Sequence, residues 1–378
     1  MHQTTNLHSL AGLAVHLPGA ATACEITLAG GRIAALTPVS RPAEAFLMPP
    51  LVDLHLHANR AYSLEGNVPA SFDDAVAIAL RSFDEATFKR YFGQCARLYA
   101  ALARSGTARA RTHADVDPVL GTLAVEASVA AAAAQPDVAI DVVAFASGRC
   151  DPRTAQGRAL LLASVAAGAK FIGAVPCFFD DPGAVIDAAL AIARDAGVPA
   201  DFHLDEHLDP DWSFSRRLAE AVLDAGMAGQ VALGHGCAMG ELEPAERATT
   251  FDLLGRAEIT VITLPTTNLY LQGREISHPR LRGLAPVKEM LEAGLKVRAA
   301  SDNVQDSFYP YGDADLMSVA ELLVIAGQID DERQIAAMLC DGQTGVSVGD
   351  PADFVLFDAP SLRGLVGRKA DRVRYRAD

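Results

Sequence analysis

The chain has 378 residues, half of them hydrophobic, and its 32 Lys and Arg stand against 47 Asp and Glu for a formal net charge of −15. That length holds one large α/β domain with an appendage. The acidic balance repels phosphate backbones and argues against nucleic-acid polymers as partners, and no apolar run reaches membrane-spanning length without polar interruption.

The early stretch "LAGLAVHLPGAATAC" is mildly apolar and ends in small residues before Cys24. A secretory leader wants a basic start, yet residues 1–10 hold no Lys or Arg, and His16 and Pro18 interrupt the run. It reads as a first β-strand and turn. "ACEITLAGGRIAALTPV" follows, two β-rich runs around Gly30-Gly31, which is a hairpin signal. At the far end, "DPADFVLFDAP" and "RVRYRAD" are again strand-like. The expectation is a small composite β-domain built from 1–46 and 341–378. The six cysteines are scattered, with no C-x-x-C. Reduced thiols of that kind suit a cytoplasmic enzyme.

Between the ends the pattern alternates. Short β-rich runs recur as "FLMPPLVDLHLH", "ARARTHAD", "AIDVVAFA", "KFIGAVP", "PADFHLDE", "QVALGH", "ITVITLP" and "LKVRAASD". Longer segments with helical spacing separate them, such as "SRRLAEAVLDAG" and "APVKEMLEAG", both closed by Gly. Eight strands alternating with helices predict an α/β fold, a (β/α)8 barrel over 47–340. A doubly wound open sheet is the runner-up, but no G-x-G-x-x-G follows the first strand.

In such a barrel the chemistry gathers at the C-terminal strand ends. Those ends carry His55 and His57, then His113 and Asp115, then His203, Asp205 and Glu206, then His235, and finally Asp302 and Asn303. Apolar packing alone would not collect His and Asp there, because a buried polar group needs a partner or a metal. His55 and His57 are two residues apart, so on a strand both face one side. His203-Leu-Asp-Glu206-His207 also matches H-x-x-E-H, a zinc-peptidase pattern that works only on a helix. Here Pro199 precedes the run and Pro210 follows it, so it reads as strand then loop. His203 is then the inward ligand candidate, and His207 a loop histidine.

Taken together, "LVDLHLH", "FHLDE", "LGHGCAM", "NLYLQGR", "VKEMLEAG" and "ASDNVQDSFYPYG" resemble the cytosine deaminase group of the amidohydrolase superfamily, from about Leu47 to Leu323. The resemblance implies a (β/α)8 barrel with a β-domain from both termini, and possible homo-oligomers. It also implies one divalent metal ion, zinc or iron, on His55, His57, His203 and Asp302. Glu206 is then the proton shuttle, His235 polarises the attacked group, and Asp302 takes a proton from the attacking water. Binuclear relatives use a carboxylated lysine at the end of strand four. Lys170 sits at the start of that strand, so one metal is expected. His113 and Asp115 read as supporting residues, and Asp313 and Asp315 as a helix start.

The sequence departs from that group at three substrate-recognition positions: Ser147 where Gln is common, Asn303 where a second Asp follows the metal Asp, and Phe308 where Trp precedes Tyr-Pro. The expected activity is hydrolytic deamination of a small N-heterocyclic substrate, cytosine-like or triazine-like, with release of ammonia or an amine. Ring-opening hydrolysis of a cyclic amide and a non-catalytic ligand-binding barrel are the rivals.

Overall fold

The first β-rich runs fold as β1 (Val15–His16), β2 (Cys24–Ala29), β3 (Arg32–Pro38) and β4 (Ala45–Met48). The computed structural model describes residues 10–64, 68–69, 71–274, 283–366 and 372–376. β2 and β3 pair antiparallel with Ala29 opposite Arg32, so Gly30 and Gly31 alone make the turn. Their φ values are 57° and 70°. A two-residue hairpin turn with both central φ positive is what glycine adopts without strain.

The eight alternating runs become β5 (Leu51–Leu56), β6 (Thr107–Val116), β7 (Ala139–Ala146), β8 (Phe171–Ala174), β9 (Ala200–Leu204), β10 (Val231–His235), β11 (Thr260–Thr263) and β12 (Lys296–Ala299). They lie in one sheet in chain order, with parallel registers from β6 through β12. A parallel bridge between Leu56 and Asp302 joins the first strand to the segment after the last. The Asp302 N–H donates to the His55 carbonyl at 2.9 Å. Helices such as Pro182–Ala196 and Pro244–Arg256 separate the strands, which makes the sheet a (β/α)8 barrel.

"FLMPPLVDLHLH" is two strands rather than one. β4 belongs to the terminal sheet and β5 to the barrel. Pro49 and Pro50 carry no N–H, so no ladder continues through them.

Near the other end, β13 (Asp353–Phe357) and β14 (Arg372–Arg376) pair with each other, and β13 pairs with β4. The second sheet therefore runs β14-β13-β4-β1-β2-β3 and draws on both ends of the chain. Its core packs Val15, Ile26, Ile33 and Leu47 with Phe354 and Leu356. By contacts the chain divides into two units. One holds the described residues through Val52, Leu102–Ala108 and those from Asp315 onward; the other holds Asp53–Ala101 and Arg109–Ala314. Among the described residues no helix is long and apolar enough to cross a membrane.

Candidate active site

Four strand ends of the barrel converge on one pocket. β5 carries His55 next to its last residue, Leu56, and His57 follows, both histidines buried. β9 supplies His203, and the loop after it supplies Glu206. β10 ends in His235. Asp302 stands three residues past β12, fixed by its bridge to Leu56.

The donor atoms face one another. His203 Nε2 lies 3.0 Å from His55 Nε2 and 3.1 Å from His57 Nε2. Asp302 Oδ1 lies 3.5 Å from His57 Nε2 and 3.8 Å from His55 Nε2. Among the described residues neither Asp302 oxygen has a donor in good hydrogen-bond geometry. Burial lowers all three imidazoles well below their ordinary pKa, so each keeps a lone pair. Burial likewise pushes the Asp302 carboxyl well up. An unpartnered buried carboxylate is costly unless a cation meets it. Donors held at 2.0–2.1 Å by a tetrahedral ion stand about 3.3–3.4 Å apart. The observed spacings bracket that value, and the neutral-nitrogen and carboxylate set suits a divalent transition metal.

His113 belongs to the same histidine cluster, its ring centroid 4.2 Å from that of His55. Its Nε2 faces a different carboxylate from that of His55 and His57, 3.3 Å from Asp201 Oδ1. Asp201 Oδ2 accepts from Arg111 Nη1 at 2.7 Å. The strand below is tight as well. A Cβ on Gly234 would stand 2.6 Å from His55 Cε1, so the glycine of "LGHG" makes room for that ring.

Glu206 and His235 flank the cluster. Glu206 Oε2 is 3.5 Å from His235 Nε2. Burial raises the Glu206 carboxyl well above its ordinary range, and the Asp302 charge adds to the effect. Burial drops His235 to about 3 despite its hydrogen bond to Asn268, so its ring is neutral. Asn268 Nδ2 donates to His235 Nδ1 at 3.0 Å. Nδ1 is thereby the acceptor, which puts the ring proton on Nε2, beside Glu206. The Glu206 carbonyl accepts from Gln272 Nε2 at 2.7 Å. Its neighbour Asp205 accepts from Ser213 Oγ at 2.6 Å and Phe214 N at 2.8 Å. Asp205, His235 and Asp302 all have φ between 58° and 77°. Non-glycine residues in that region are strained, and strain of this kind collects at functional sites.

The pocket has an empty volume of about 330 Å3, and Arg60, Phe145, Val175, Phe178, Asn303 and Phe308 wall it beside the polar cluster. Ser307 Oγ donates to the Ala75 carbonyl at 2.9 Å, and Phe308 packs on Ala75 and Ala79. Asn303 is in the wall, but Nδ2 donates to Asp306 Oδ2 at 2.7 Å and Oδ1 accepts from Thr267 Oγ1 at 3.4 Å. Ser147 does not line the pocket; its Oγ donates to the Val116 carbonyl at 3.5 Å. A larger cavity, about 1450 Å3, lies within the terminal unit beside His16, Glu332 and Arg363, and none of the histidines or acids at the barrel's strand ends lines it.

The H-x-x-E-H stretch is strand through Leu204 and loop at 205–209. His207 is in that loop, with Nδ1 accepting from Asp209 N at 3.3 Å. Lys170 precedes β8 and its Nζ is 2.9 Å from Asp141 Oδ1. Asp115 accepts from Asn59 and Arg60. Asp315 caps the helix Leu316–Ile325, accepting from Met317 N. Sequence reasoning passed over Asn268 and Arg60. Asn268 lies in the short helix after β11, and Arg60 three residues beyond His57. A polar residue just past a strand end is the signal both carry.

The sequence profile of the amidohydrolase family matches residues 74–376. A pterin deaminase of Rhizobium rhizogenes is 33% identical over 217 residues, 54% of this chain and 50% of that protein, so the match spans half of its length. An N-isopropylammelide isopropyl amidohydrolase of Pseudomonas sp. is 24% identical over 86% of this chain and 83% of that one. Among solved structures, a 5-methylcytosine deaminase from Klebsiella pneumoniae, liganded with 5-fluorocytosine, superposes with a TM-score of 0.86 at 25% identity, covering 96% of this chain and 95% of its own.

Proposed function

The chain belongs to the amidohydrolase family, and from that premise we propose that it deaminates a small N-heterocycle, hydrolysing an exocyclic C–N bond with release of ammonia or an amine. One observation carries the reading. Three neutral imidazole nitrogens and the buried Asp302 carboxylate meet within 3.0–3.8 Å, and Glu206 and His235 stand beside them. The similarity to deaminases of pterin and 5-methylcytosine supports it.

In this reading His55, His57, His203 and Asp302 hold one zinc or iron ion. His113 stays outside the set in this reading, its Nε2 turned to Asp201, a carboxylate held by Arg111. A divalent cation held there supplies a Lewis acid and brings the ionisation of water to near neutral pH.

The chain's own residues do the rest. Glu206, kept protonated by burial, donates its proton to the ring nitrogen as the water oxygen adds to the amino-bearing carbon, and takes one of the water's protons in its place. Asp302 accepts the other proton of that oxygen and passes it to the departing amino group, so both carboxyl groups end as they began. His235 donates its Nε2 proton as a hydrogen bond to the oxygen that gains charge. The C–N bond breaks, ammonia leaves, and the ring keeps a carbonyl and an N–H. One water is consumed, one of its hydrogens ending on ammonia and the other on the ring.

Buried free thiols at Cys95, Cys150, Cys237 and Cys340 support a reducing, cytoplasmic setting. The test is ammonia release by zinc- or iron-loaded protein across a panel of amino-pyrimidinones, pterins and amino-triazines. Release from one class supports the reading. Metal-replete protein that releases no ammonia or amine from any of them contradicts it.

A further inference from the structure

The proposed chemistry uses the histidines, Glu206 and Asp302, and leaves the identity of the ring unread. The other walls are largely hydrocarbon: Phe145, Val175, Phe178 and Phe308. The amide of Asn303 is already tied to Asp306 and Thr267. Arg60 remains, and among the described residues it is the one permanently charged cation in the wall.

Arg60 is built into its place. Nε donates to Asp115 Oδ2 at 2.7 Å, and Nη2 donates to Asp115 Oδ1. Asn59 Nδ2 donates to the same Oδ2 at 2.8 Å. Asp115 is fully buried and the Arg60 side chain is 12% exposed. The guanidinium carbon stands 5.5 Å from the Phe308 ring centroid and 5.9 Å from that of Phe145. A fork fixed on one edge by a carboxylate, with rings beside it, has little freedom left to lose on binding. Asp115 engages Nε and Nη2, which leaves Nη1 as the arm of the fork that this carboxylate does not hold.

We propose that Arg60 is the specificity-determining residue, reading a ring carbonyl oxygen of the substrate through Nη1, so that the enzyme selects aminoheterocycles bearing a ring oxo group over their deoxo counterparts. The inference rests on the reading that this pocket takes an N-heterocycle. Asp115 neutralises the guanidinium, which favours a neutral carbonyl over a free anion. Asp115 itself is a positioning residue that acts through Arg60. A hydrogen bond from a charged donor changes affinity by about 10- to 150-fold.

The test is calorimetric binding to zinc-loaded full-length Glu206→Gln protein, chosen so that nothing turns over during the titration. The probes are pairs that differ by one ring oxygen, cytosine against 4-aminopyrimidine being one. With Arg60 present, the oxo member binds at least about tenfold tighter. Arg60→Met combined with Asp115→Asn strands no charge, and brings the two members to within about twofold while the deoxo affinity holds. Arg60→Lys keeps a cation opposite Asp115 and loses several-fold of the preference, so it answers the question if the double variant does not fold. A preference that survives both variants overturns the proposal, as does a parent protein that binds the pairs equally or binds none of them. Ammonia release by the unsubstituted protein separates the two readings. A preference without ammonia leaves Arg60 standing and removes the deaminase; ammonia without an Arg60-dependent preference does the reverse.

Discussion

Asn268 Nδ2 donates to Nδ1 of His235 at 3.0 Å, and this one bond decides which ring nitrogen carries the proton. The proton is left on Nε2, 3.5 Å from Glu206 Oε2, where an oxygen of the substrate would gain charge. Asn268→Asp replaces the donor with an acceptor and moves the proton to Nδ1. By analogy with other histidines held in the wrong tautomer, kcat should fall by roughly 10²–10⁴-fold. Metal content should stay near that of the parent, because His235 is outside the proposed ligand set. Steady-state kinetics beside elemental analysis checks both halves.

The proposed ligand set predicts its own failures. His55→Ala opens one corner of the site, and Asp302→Ala removes its one carboxylate. Each variant should fall well below one ion per chain after dialysis, while His113→Ala keeps more metal than either. Full stoichiometry in both His55→Ala and Asp302→Ala would show that the ion sits elsewhere.

Gly234→Ala tests the packing under His55. Its new Cβ would meet His55 Cε1 at 2.6 Å. Overpacking in a buried site costs about 1–3 kcal/mol, and here the strain falls on a proposed ligand. The variant should melt lower than the parent and bind metal more weakly in a competition titration with a chelator.

Lys170 gives a prediction about acid stability. Burial pushes Asp141 up, but hydrogen bonds from Lys170 and Arg109 outweigh it and leave the carboxyl below its ordinary 3.8. A carboxyl depressed in the folded state lends stability that is complete above its unfolded value and is lost as pH falls through the folded one. Lys170→Met should therefore destabilise the protein near neutral pH, and the gap to the parent should close as pH drops below about 4. The effect should stay under about 1 kcal/mol, since Lys170 is mostly exposed. Thermal melts across pH measure it. Turnover and metal content should not change.

The barrel was legible because each strand leaves a short apolar run between helical segments. Seven of the eight quoted runs contain the strand they point to, Lys296–Ala299 among them, and the eighth, "ARARTHAD", lies inside the longer Thr107–Val116. The composite terminal sheet was legible from Gly30-Gly31 and from β-rich stretches near both ends. The break at Pro49-Pro50 was written in the residues too, since neither proline can donate to a ladder. Hydrophobicity alone runs across that break, so it joins β4 to β5. The proposed site was partly visible because His and Asp at strand ends stand out against apolar neighbours. Asn268 and Arg60 do not stand out, because in the chain they are ordinary polar residues just after strands. Their placement beside His235 and in the pocket wall comes from closing the barrel, which no local pattern encodes. Asn303 illustrates the same limit. Its amide has a donor and an acceptor to offer, and the fold commits them to Asp306 and Thr267.

The most direct test of the central claim is turnover by metal-loaded Glu206→Gln protein on whichever aminoheterocycle the parent deaminates. The amide keeps the shape and cannot relay the proton. The account predicts a full complement of metal with kcat lower by about 10²–10⁴-fold. Near-parental kcat in metal-replete Glu206→Gln protein would contradict it.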